Sequence, residues 1–182
     1  MLLILVVGMP GAGKSLVVEV ARNEFNLPTY TMGDVVREEA VKRYGSITPA
    51  ILLKTSRELR EAYGLDYVAV KTMERIDKKA EAVVIDGVRS LHEVEYFSKH
   101  GDTVIVAVHA SPRTRFARLL KRGREGDPGS WEEFVKRDRI ELDFGIGEVI
   151  ALADYIIVNE ASVEDAKREI RKTLETILGG RR

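Results

Sequence analysis

The sequence LLILVVGMPGAGKS at residues 2–15 decides the fold. Its first six residues are apolar without alternation, which is typical of a strand that is covered on both faces in a parallel sheet. Residues 8–15 fit the pattern G-x-x-x-x-G-K-[ST], and the helical pattern LVVEVARNEF follows directly. Strand, glycine-rich loop and helix are the context that this pattern requires. The segment therefore predicts an α/β protein with a phosphate-binding loop.

Each part of the loop has a physical task. Glycines permit backbone dihedral angles that other residues resist, so successive N–H groups can converge on an anionic phosphate at a helix amino terminus. Lys14 is placed to bridge β- and γ-phosphate oxygens, and the Ser15 hydroxyl is placed to ligate Mg²⁺. The alternative, a glycine-rich turn that only begins a helix, is disfavoured by the flanking strand and helix. The predicted ATP-binding residues here are Gly8, Pro10, Gly11, Ala12, Gly13, Lys14 and Ser15.

Strand-like and helical patterns alternate along the rest of the chain. Such alternation predicts a parallel sheet with right-handed helical crossovers. The predicted strands are 2–7, 28–30, 82–86, 103–109 and 154–158. The predicted helices are 14–24, 34–44, 49–63, 66–79, 90–99, 112–122, 130–144 and 162–178.

The chain, 1–182, is predicted to be one domain, because its length is that of a single ordinary domain. Two long intervals without strand signals are expected to lie as insertions over the carboxyl edge of the sheet. The turn cluster GREGDPGS at 123–130 predicts a flexible tip, and the tail GGRR at 179–182 is expected to fray. The predicted parts are a core of 1–30, 81–111 and 150–182, and helical insertions at 31–80 and 112–149.

Composition limits the partners. Twenty-nine basic side chains balance 29 acidic ones, so no bulk cationic field is available to hold a nucleic acid or an anionic membrane. The opening apolar run is too short to cross a bilayer. The absence of cysteine excludes a disulfide scaffold, a thiol nucleophile and the usual cysteine-based zinc sites. We therefore expect a cytoplasmic protein that grips phosphate locally, without a membrane or nucleic-acid partner.

A second motif, TMGDVVR at 31–37, contains an acid and a base at helical spacing. Asp34 and Arg37 are three residues apart, so both project from one face of a helix and can meet the same ligand. The alternative makes Asp34 a cap or first-turn acid and leaves Arg37 on the solvated surface.

A third motif, VVIDGVR at 83–89, ends a buried strand with an acid, a glycine and an arginine. Asp86 at the strand tip can hold Mg²⁺ through its water shell, and the planar fork of Arg89 can grip phosphate. Alternatively, Asp86 caps the helix that begins near Ser90, and Arg89 pairs with Glu93.

A basic stretch follows the fourth strand. Arg115, Arg118 and Arg122 fall on one side of a helix, at offsets of three and four. The alternative is a solvated face that pairs with nearby glutamates. These glutamates are Glu125, Glu132 and Glu133. Arg137 and Arg139 are further candidates on the next helix.

The order of these motifs resembles the nucleoside-monophosphate-kinase branch of P-loop proteins. MGDVVR and IDGVR are similar to adenylate kinase segments, and ADYIIVNEAS at 153–162 is similar to dephospho-CoA kinase. The resemblance is closest to an archaeal family of adenylate-kinase-like nucleotide kinases and spans nearly the whole chain. It implies an α/β P-loop NTPase fold: a three-layer sandwich with a five-stranded parallel sheet in the order 2-3-1-4-5. The insertions 31–80 and 112–149 then bind the acceptor and form a lid.

The resemblance also implies roles for individual residues. Asp34 and Arg37 face the acceptor, Arg89 holds the acceptor's phosphate, and Asp86 lies near the metal. The lid arginines are Arg118 and Arg122, with Arg122 near the adenine or the transferring phosphoryl, and Asn159 borders the adenine. The implied catalytic residues are Lys14, Asp34, Arg89 and Arg122. Two departures concern IDGVR, which lacks a phenylalanine-proline pair, and the lid, which lacks zinc-binding cysteines.

The expected activity is transfer of the γ-phosphoryl of Mg²⁺-ATP to a small nucleotide-like acceptor. A nucleoside monophosphate such as AMP attacks through an ionised phosphate and needs arginines but no base. Dephospho-CoA attacks through a ribose hydroxyl, which benefits from Asp34 as a base. A third alternative is a nucleotide-dependent switch or assembly ATPase that acts on a protein or RNA partner. The sequence makes no prediction of the oligomeric state.

Overall fold

The computed structural model describes residues 1–180, which contain a five-stranded sheet with only parallel neighbours. The strands are β1 (Leu2–Val7), β2 (Thr29–Thr31), β3 (Ala82–Asp86), β4 (Asp102–His109) and β5 (Tyr155–Val158). Their order across the sheet, β2-β3-β1-β4-β5, confirms the predicted order. All six residues of the central strand β1 are buried.

Helices connect the strands and lie on both faces of the sheet. They are α1 (Lys14–Phe25), α2 (Met32–Tyr44), α3 (Pro49–Tyr63), α4 (Tyr67–Met73), α5 (Leu91–Ser98), α6 (Pro112–Arg122), α7 (Trp131–Asp143), α8 (Ile146–Ala151) and α9 (Val163–Gly179). The α2, α3 and α4 helices belong to the first predicted insertion, and α6 and α7 belong to the second.

Two helices differ from the sequence prediction. The α4 helix ends at Met73 rather than near 79, and the chain continues in turns, one of which contains a hydrogen bond from the Lys79 N–H to the Asp77 carboxylate. The short helix α8 was not predicted. It begins after Gly145, whose φ of +96° ends the preceding helix and redirects the backbone.

The central strand packs on both faces, which explains why its apolar run does not alternate. Leu3 and Leu5 face a cluster that includes residues of α2, α4, α5 and α8. Leu2 and Ile4 face a second cluster formed with α1 and α9. Burial of this apolar surface, at about 25 cal/mol per Å², stabilises three layers with the loop after β1 at one edge of the middle layer.

Within the described residues, no helix is long and apolar enough to span a bilayer. Gly179, in the tail expected to fray, is the last residue of α9. Residues 181–182 of that tail lie outside the described residues.

Candidate functional site

The glycine-rich loop joins β1 to α1 at the carboxyl end of the central strand. Gly11 and Gly13 have φ angles of +81° and +103°, a region that other residues rarely adopt. A Cβ at Gly13 would also collide with the side-chain amide of Asn159. No side chain of residues 1–180 caps the amino terminus of α1, and its first turn contains no acid. Its backbone N–H groups are therefore available to an anion.

Lys14 is the first residue of α1 and is partly buried beside the loop. Its Nζ donates a hydrogen bond of 2.6 Å to the backbone carbonyl of Gly8. Desolvation lowers the pKa of Lys14, and the Asp86 carboxylate opposes that shift. The ammonium group thus bonds to a neutral carbonyl that an anionic phosphate can replace. Ser15, the next residue, is exposed at the same helix end.

Asp86 ends β3, directly beside the end of β1. Its Oδ1 is buried and has no hydrogen-bond partner among the residues that the structure describes. Burial raises the pKa of Asp86, and the positive charge of Lys14 opposes that shift. A buried carboxylate oxygen without a partner requires an explanation, and a bound cation supplies one. With the Ser15 hydroxyl, Asp86 is therefore chemically suited to hold Mg²⁺.

The alternative in which Asp86 caps the following helix is wrong. Ser90 is the cap of α5, and its Oγ accepts the Glu93 N–H at 3.4 Å. The carboxylate of Asp86 is therefore free of a structural task at that helix terminus.

A cavity of about 660 Å³ extends from Lys14 and Asp86 beneath the two helical segments. Much of its wall is apolar, from Met32, Val36, Leu52, Leu53, Val68 and Ile140. Its arginines are Arg37, Arg60, Arg89 and Arg137. Apolar walls with a few cationic groups suit a small molecule that combines an apolar body with an anionic group.

Arg89 lines this cavity, and its side chain is held by an acid that the sequence analysis did not single out. Its Nε lies 3.3 Å from Oε2 of Glu141, and its guanidinium lies 5.7 Å from the ring centroid of Phe144. The proposed side-chain pair between Arg89 and Glu93 is wrong, because Glu93 accepts the backbone N–H of Arg89 at 2.7 Å. Within residues 1–180, the Arg89 guanidinium therefore contacts the Glu141 carboxylate alone, which leaves donors for an anion.

Arg60 is a second cavity residue that the sequence analysis missed. It is 8% exposed and donates to Oε1 of Glu93 at 2.6 Å and to Oγ of Ser56 at 2.5 Å. Thirty-three positions separate Arg60 from Glu93. No local pattern in the sequence signals a contact over that distance.

Asp34 and Arg37 share one face of α2, as their spacing predicts. Their side chains form an ion pair of 2.5 Å and are 51% and 47% exposed. Arg37 lines the cavity, whereas Asp34 is not part of the cavity wall. Asp34 is also the first-turn acid of the alternative interpretation. The structure therefore places Arg37 at the candidate site and directs Asp34 towards Arg37.

Asn159 connects the loop to α6. Its Nδ2 donates to the Ala12 carbonyl at 2.8 Å, and its Oδ1 accepts from Nη2 of Arg118 at 3.3 Å. Nη1 of Arg118 is buried without a hydrogen-bond partner within residues 1–180. Arg118 and Asn159 thus lie together beside the loop, with one donor available for a ligand.

At the tip of the second insertion, Arg122 is bound to a carboxylate of the same segment. Arg122 donates to Asp127 through Nε at 2.8 Å and Nη2 at 2.5 Å, and Arg137 donates to the same carboxylate at 3.2 Å. The hydrogen bonds from Arg122 are the main reason that the pKa of Asp127 is lowered to about 2. Arg122 is not part of the cavity wall, and its catalytic role stays a prediction.

Arg115 received no role from the sequence beyond its place in the arginine stripe. It is 4% exposed and forms two hydrogen bonds with Asp138 of α7, at 2.8 and 2.6 Å. Its Nη1 also donates to the carbonyl of Pro10 in the loop at 3.2 Å. The alternative, in which the stripe pairs with Glu125, Glu132 and Glu133, is wrong, because its three arginines contact Asp138, Asn159 and Asp127 instead.

The loop, the sheet order and the cavity together define a P-loop protein with a kinase-like domain. A family described as AAA domain matches residues 7–135. The UPF0200 protein of Staphylothermus marinus is 57% identical over 97% of this chain and 93% of its own length. The UPF0200 proteins of Hyperthermus butylicus and Methanocaldococcus jannaschii are 53% and 50% identical, each over 98% of this chain and over 96% and 91% of their own lengths. The chain belongs to the UPF0200 family. This finding confirms the archaeal kinase-like family that the motifs indicated.

Solved structures show the same fold at low sequence identity. The protein TT1252 from Thermus thermophilus matches with a TM-score of 0.64 and 21% identity, over 95% of this chain and 96% of that one. Shikimate kinase from Bacteroides thetaiotaomicron matches with a TM-score of 0.60 and 16% identity, over 96% and 98%. These matches extend the likeness over nearly the whole chain.

Proposed function

We propose that the protein transfers the γ-phosphoryl group of ATP to a nucleotide-like acceptor, a nucleoside monophosphate such as AMP. One observation carries the proposal: the arginine-lined cavity begins at Lys14 and Asp86, beside the phosphate loop. A donor phosphate on the loop and an acceptor phosphate in the cavity would therefore meet at Lys14. Phosphoryl transfer needs such alignment and charge neutralisation more than covalent assistance.

The donor half of the proposal rests on the loop and its neighbours. The N–H groups at the start of α1 hold the β-phosphate, and Lys14 exchanges the Gly8 carbonyl for phosphate oxygens. Ser15 and Asp86 hold Mg²⁺, which neutralises charge on the phosphates when it is bound. The unpartnered donor of Arg118 binds a phosphate or the base, and Asn159 fixes Arg118 beside the loop.

The acceptor half rests on the cavity. Arg89 and Arg37 hold the acceptor's phosphate, and the apolar residues of α2 and α3 take its less polar body. The segment 31–80 thus binds the acceptor, while 112–149 covers it and excludes water. Arg122 takes part in this proposal only after it separates from Asp127.

A monophosphate is favoured over a hydroxyl acceptor by the position of Asp34. The Asp34 carboxylate forms an ion pair with Arg37, and its side chain lies outside the cavity wall. One observation supports transfer to a hydroxyl as a second candidate. Asp86 does line the cavity, and burial raises its pKa, which makes its carboxylate a stronger base.

An acceptor panel tests the proposal directly. Purified protein with Mg²⁺-ATP is offered each nucleoside monophosphate and dephospho-CoA, and ADP formation is followed. We expect one monophosphate to raise the rate far above that of ATP alone. Stimulation by dephospho-CoA only would favour the hydroxyl acceptor. ATP hydrolysis that no small acceptor stimulates, but a protein or RNA partner does, would contradict kinase activity and favour a switch.

A further inference from the structure

Arg115 makes contacts with three separate parts of the molecule. Its Nε donates to the Ala110 carbonyl at 3.1 Å, at the end of β4, and its Nη1 donates to the Pro10 carbonyl of the loop. The same guanidinium forms both hydrogen bonds with Asp138 of α7. One buried side chain therefore joins the sheet edge, the phosphate loop and the second helix of the lid segment.

The backbone of Arg115 is equally close to the loop. A Cβ at Gly11 would lie 2.8 Å from the Arg115 carbonyl oxygen. The Pro10 carbonyl and the Gly11 N–H belong to one planar peptide unit, so they turn together. If a phosphate draws the Gly11 N–H towards itself, the Pro10 carbonyl must rotate, and its hydrogen bond to Arg115 must lengthen or realign.

The other end of this connection reaches the acceptor cavity. Arg137 and Glu141, which line the cavity, lie on α7, the helix that Arg115 holds through Asp138. A small displacement of Arg115 therefore shifts residues that face the acceptor. Because a misplacement of about 1 Å can cost about 100-fold in rate, this placement matters for transfer.

We propose that Arg115 is a positioning residue that couples occupancy of the phosphate loop to the placement of α7 over the acceptor. This inference rests on the proposed function. It assigns the ion pair between Arg115 and Asp138 a task other than stability. Buried ion pairs are often replaceable by apolar residues without loss of stability, so burial alone does not account for the pair.

The protein contains a natural reporter for this coupling. Trp131 is its single tryptophan and begins α7. Its ring lies 5.1 Å from Phe134, and the Arg115 guanidinium lies 4.9 Å from the centroid of the same phenylalanine ring. A movement of Arg115 on nucleotide binding should therefore change the surroundings of Trp131 and its fluorescence.

The test compares nucleotide binding with the fluorescence response and with turnover. The probe is Mg²⁺ with a non-hydrolysable ATP analogue, whose affinity is measured by calorimetry. The double variant Arg115→Met with Asp138→Leu removes both charges together and so avoids an unpaired buried charge. Arg115→Lys keeps the charge but not the bidentate geometry. Arg113→Lys, at an exposed position on the same helix, is the matched control.

For the wild type and Arg113→Lys, we expect the analogue to shift Trp131 emission. The double variant should bind the analogue within about threefold of wild type, lose the emission shift, and show kcat lowered about ten- to 100-fold. Arg115→Lys should retain part of the emission shift and part of kcat. If the double variant does not fold, Arg115→Lys decides the matter, because a full emission shift with unchanged kcat in that variant overturns the coupling.

Two other results also overturn the inference. The first is a double variant with an undiminished emission shift and kcat. The second is a variant whose analogue affinity falls as much as its turnover, since Arg115 would then belong to the nucleotide site itself. Failure of the proposed function is distinguishable, because it appears in the wild type as an absence of nucleotide binding or of acceptor-dependent ADP formation.

Discussion

The phosphate loop and residues 112–149, the proposed lid segment, are stabilised in different ways. The loop is shaped by its backbone, which includes Gly11 and Gly13 in the left-handed region, and by the Asn159 amide, which donates to the Ala12 carbonyl. The lid segment relies on side-chain ion pairs, such as those of Arg122 with Asp127 and Arg89 with Glu141. The glycine conformations of the loop are present before a ligand arrives, so binding requires no more than rotation of single peptide units, whereas the ion pairs are exchangeable contacts. For the proposed function, this comparison predicts a donor site that is largely preformed and an acceptor site that adjusts.

Loss of Lys14 should have the largest effect, because its ammonium group lies at the loop itself, 2.6 Å from the Gly8 carbonyl oxygen. We expect Lys14→Ala to lower the rate of phosphoryl transfer by about 10³-fold or more. The fold should persist, with an unchanged circular dichroism spectrum, because the substitution removes the ammonium group and leaves no buried charge of its own without a partner. The exposed Lys78→Ala is the control, and more than a tenth of wild-type turnover in Lys14→Ala would place transfer elsewhere.

A matched pair of glycines tests the rigidity of the donor site. Gly13→Ala should lose nucleotide binding by about 100-fold, because the methyl group meets the Asn159 amide at a φ of +103°. Gly45→Ala is strained at a φ of +65° but meets nothing within 4 Å. It should cost about 1–2 kcal/mol of unfolding free energy and leave binding intact. Equal binding losses in both variants would attribute the effect to stability alone.

For the ion pair between Arg89 and Glu141, we expect opposite effects when one or the other residue is replaced. Arg89→Ala should raise the acceptor KM by about tenfold, since a charge-assisted contact to its phosphate is lost. Glu141→Gln should lower that KM by a few-fold, because it removes the carboxylate that competes with the acceptor for Arg89. The measurement is initial rate against acceptor concentration at saturating ATP. A higher KM in both variants would show that Glu141 assists binding of the acceptor rather than competing with it for Arg89.

The smallest effect is expected at the tip of the lid segment. The pKa of Asp127 is lowered to about 2, so its contribution to stability is complete above about pH 4 and is lost as the pH falls towards 2. Asp127→Asn should therefore lower the unfolding free energy by about 1 kcal/mol or less at pH 7. Denaturant unfolding should show the two proteins converging at pH 2–3. A constant difference across this range would assign the effect to packing.

The sequence was sufficient to predict features that depend on neighbouring residues. The buried run of β1, the loop and the spacing of Asp34 and Arg37 are local patterns, and the structure contains all three. The short helix α8 was missed because six residues are too few to show a helical period.

Contacts between distant residues could not be predicted in the same way. Arg115 and Asp138 are 23 positions apart, and neither position carries a mark that distinguishes it from the other arginines and acids of the segment. Glu141 is likewise one acid among several on its helix. Which arginine meets which carboxylate depends on how the two insertions pack, and hydrophobic periodicity contains no information on that choice.

Gly126 and Pro49 meet where the tip of the lid segment reaches the start of α3. The seam between them has room for a hydrogen atom but not for a methyl group. A larger residue at position 126 would push the tip away from Pro49, and we expect this to open the cavity to bulk solvent. If the protein transfers phosphate as proposed, such a variant should hydrolyse more ATP without transferring its phosphate to the acceptor.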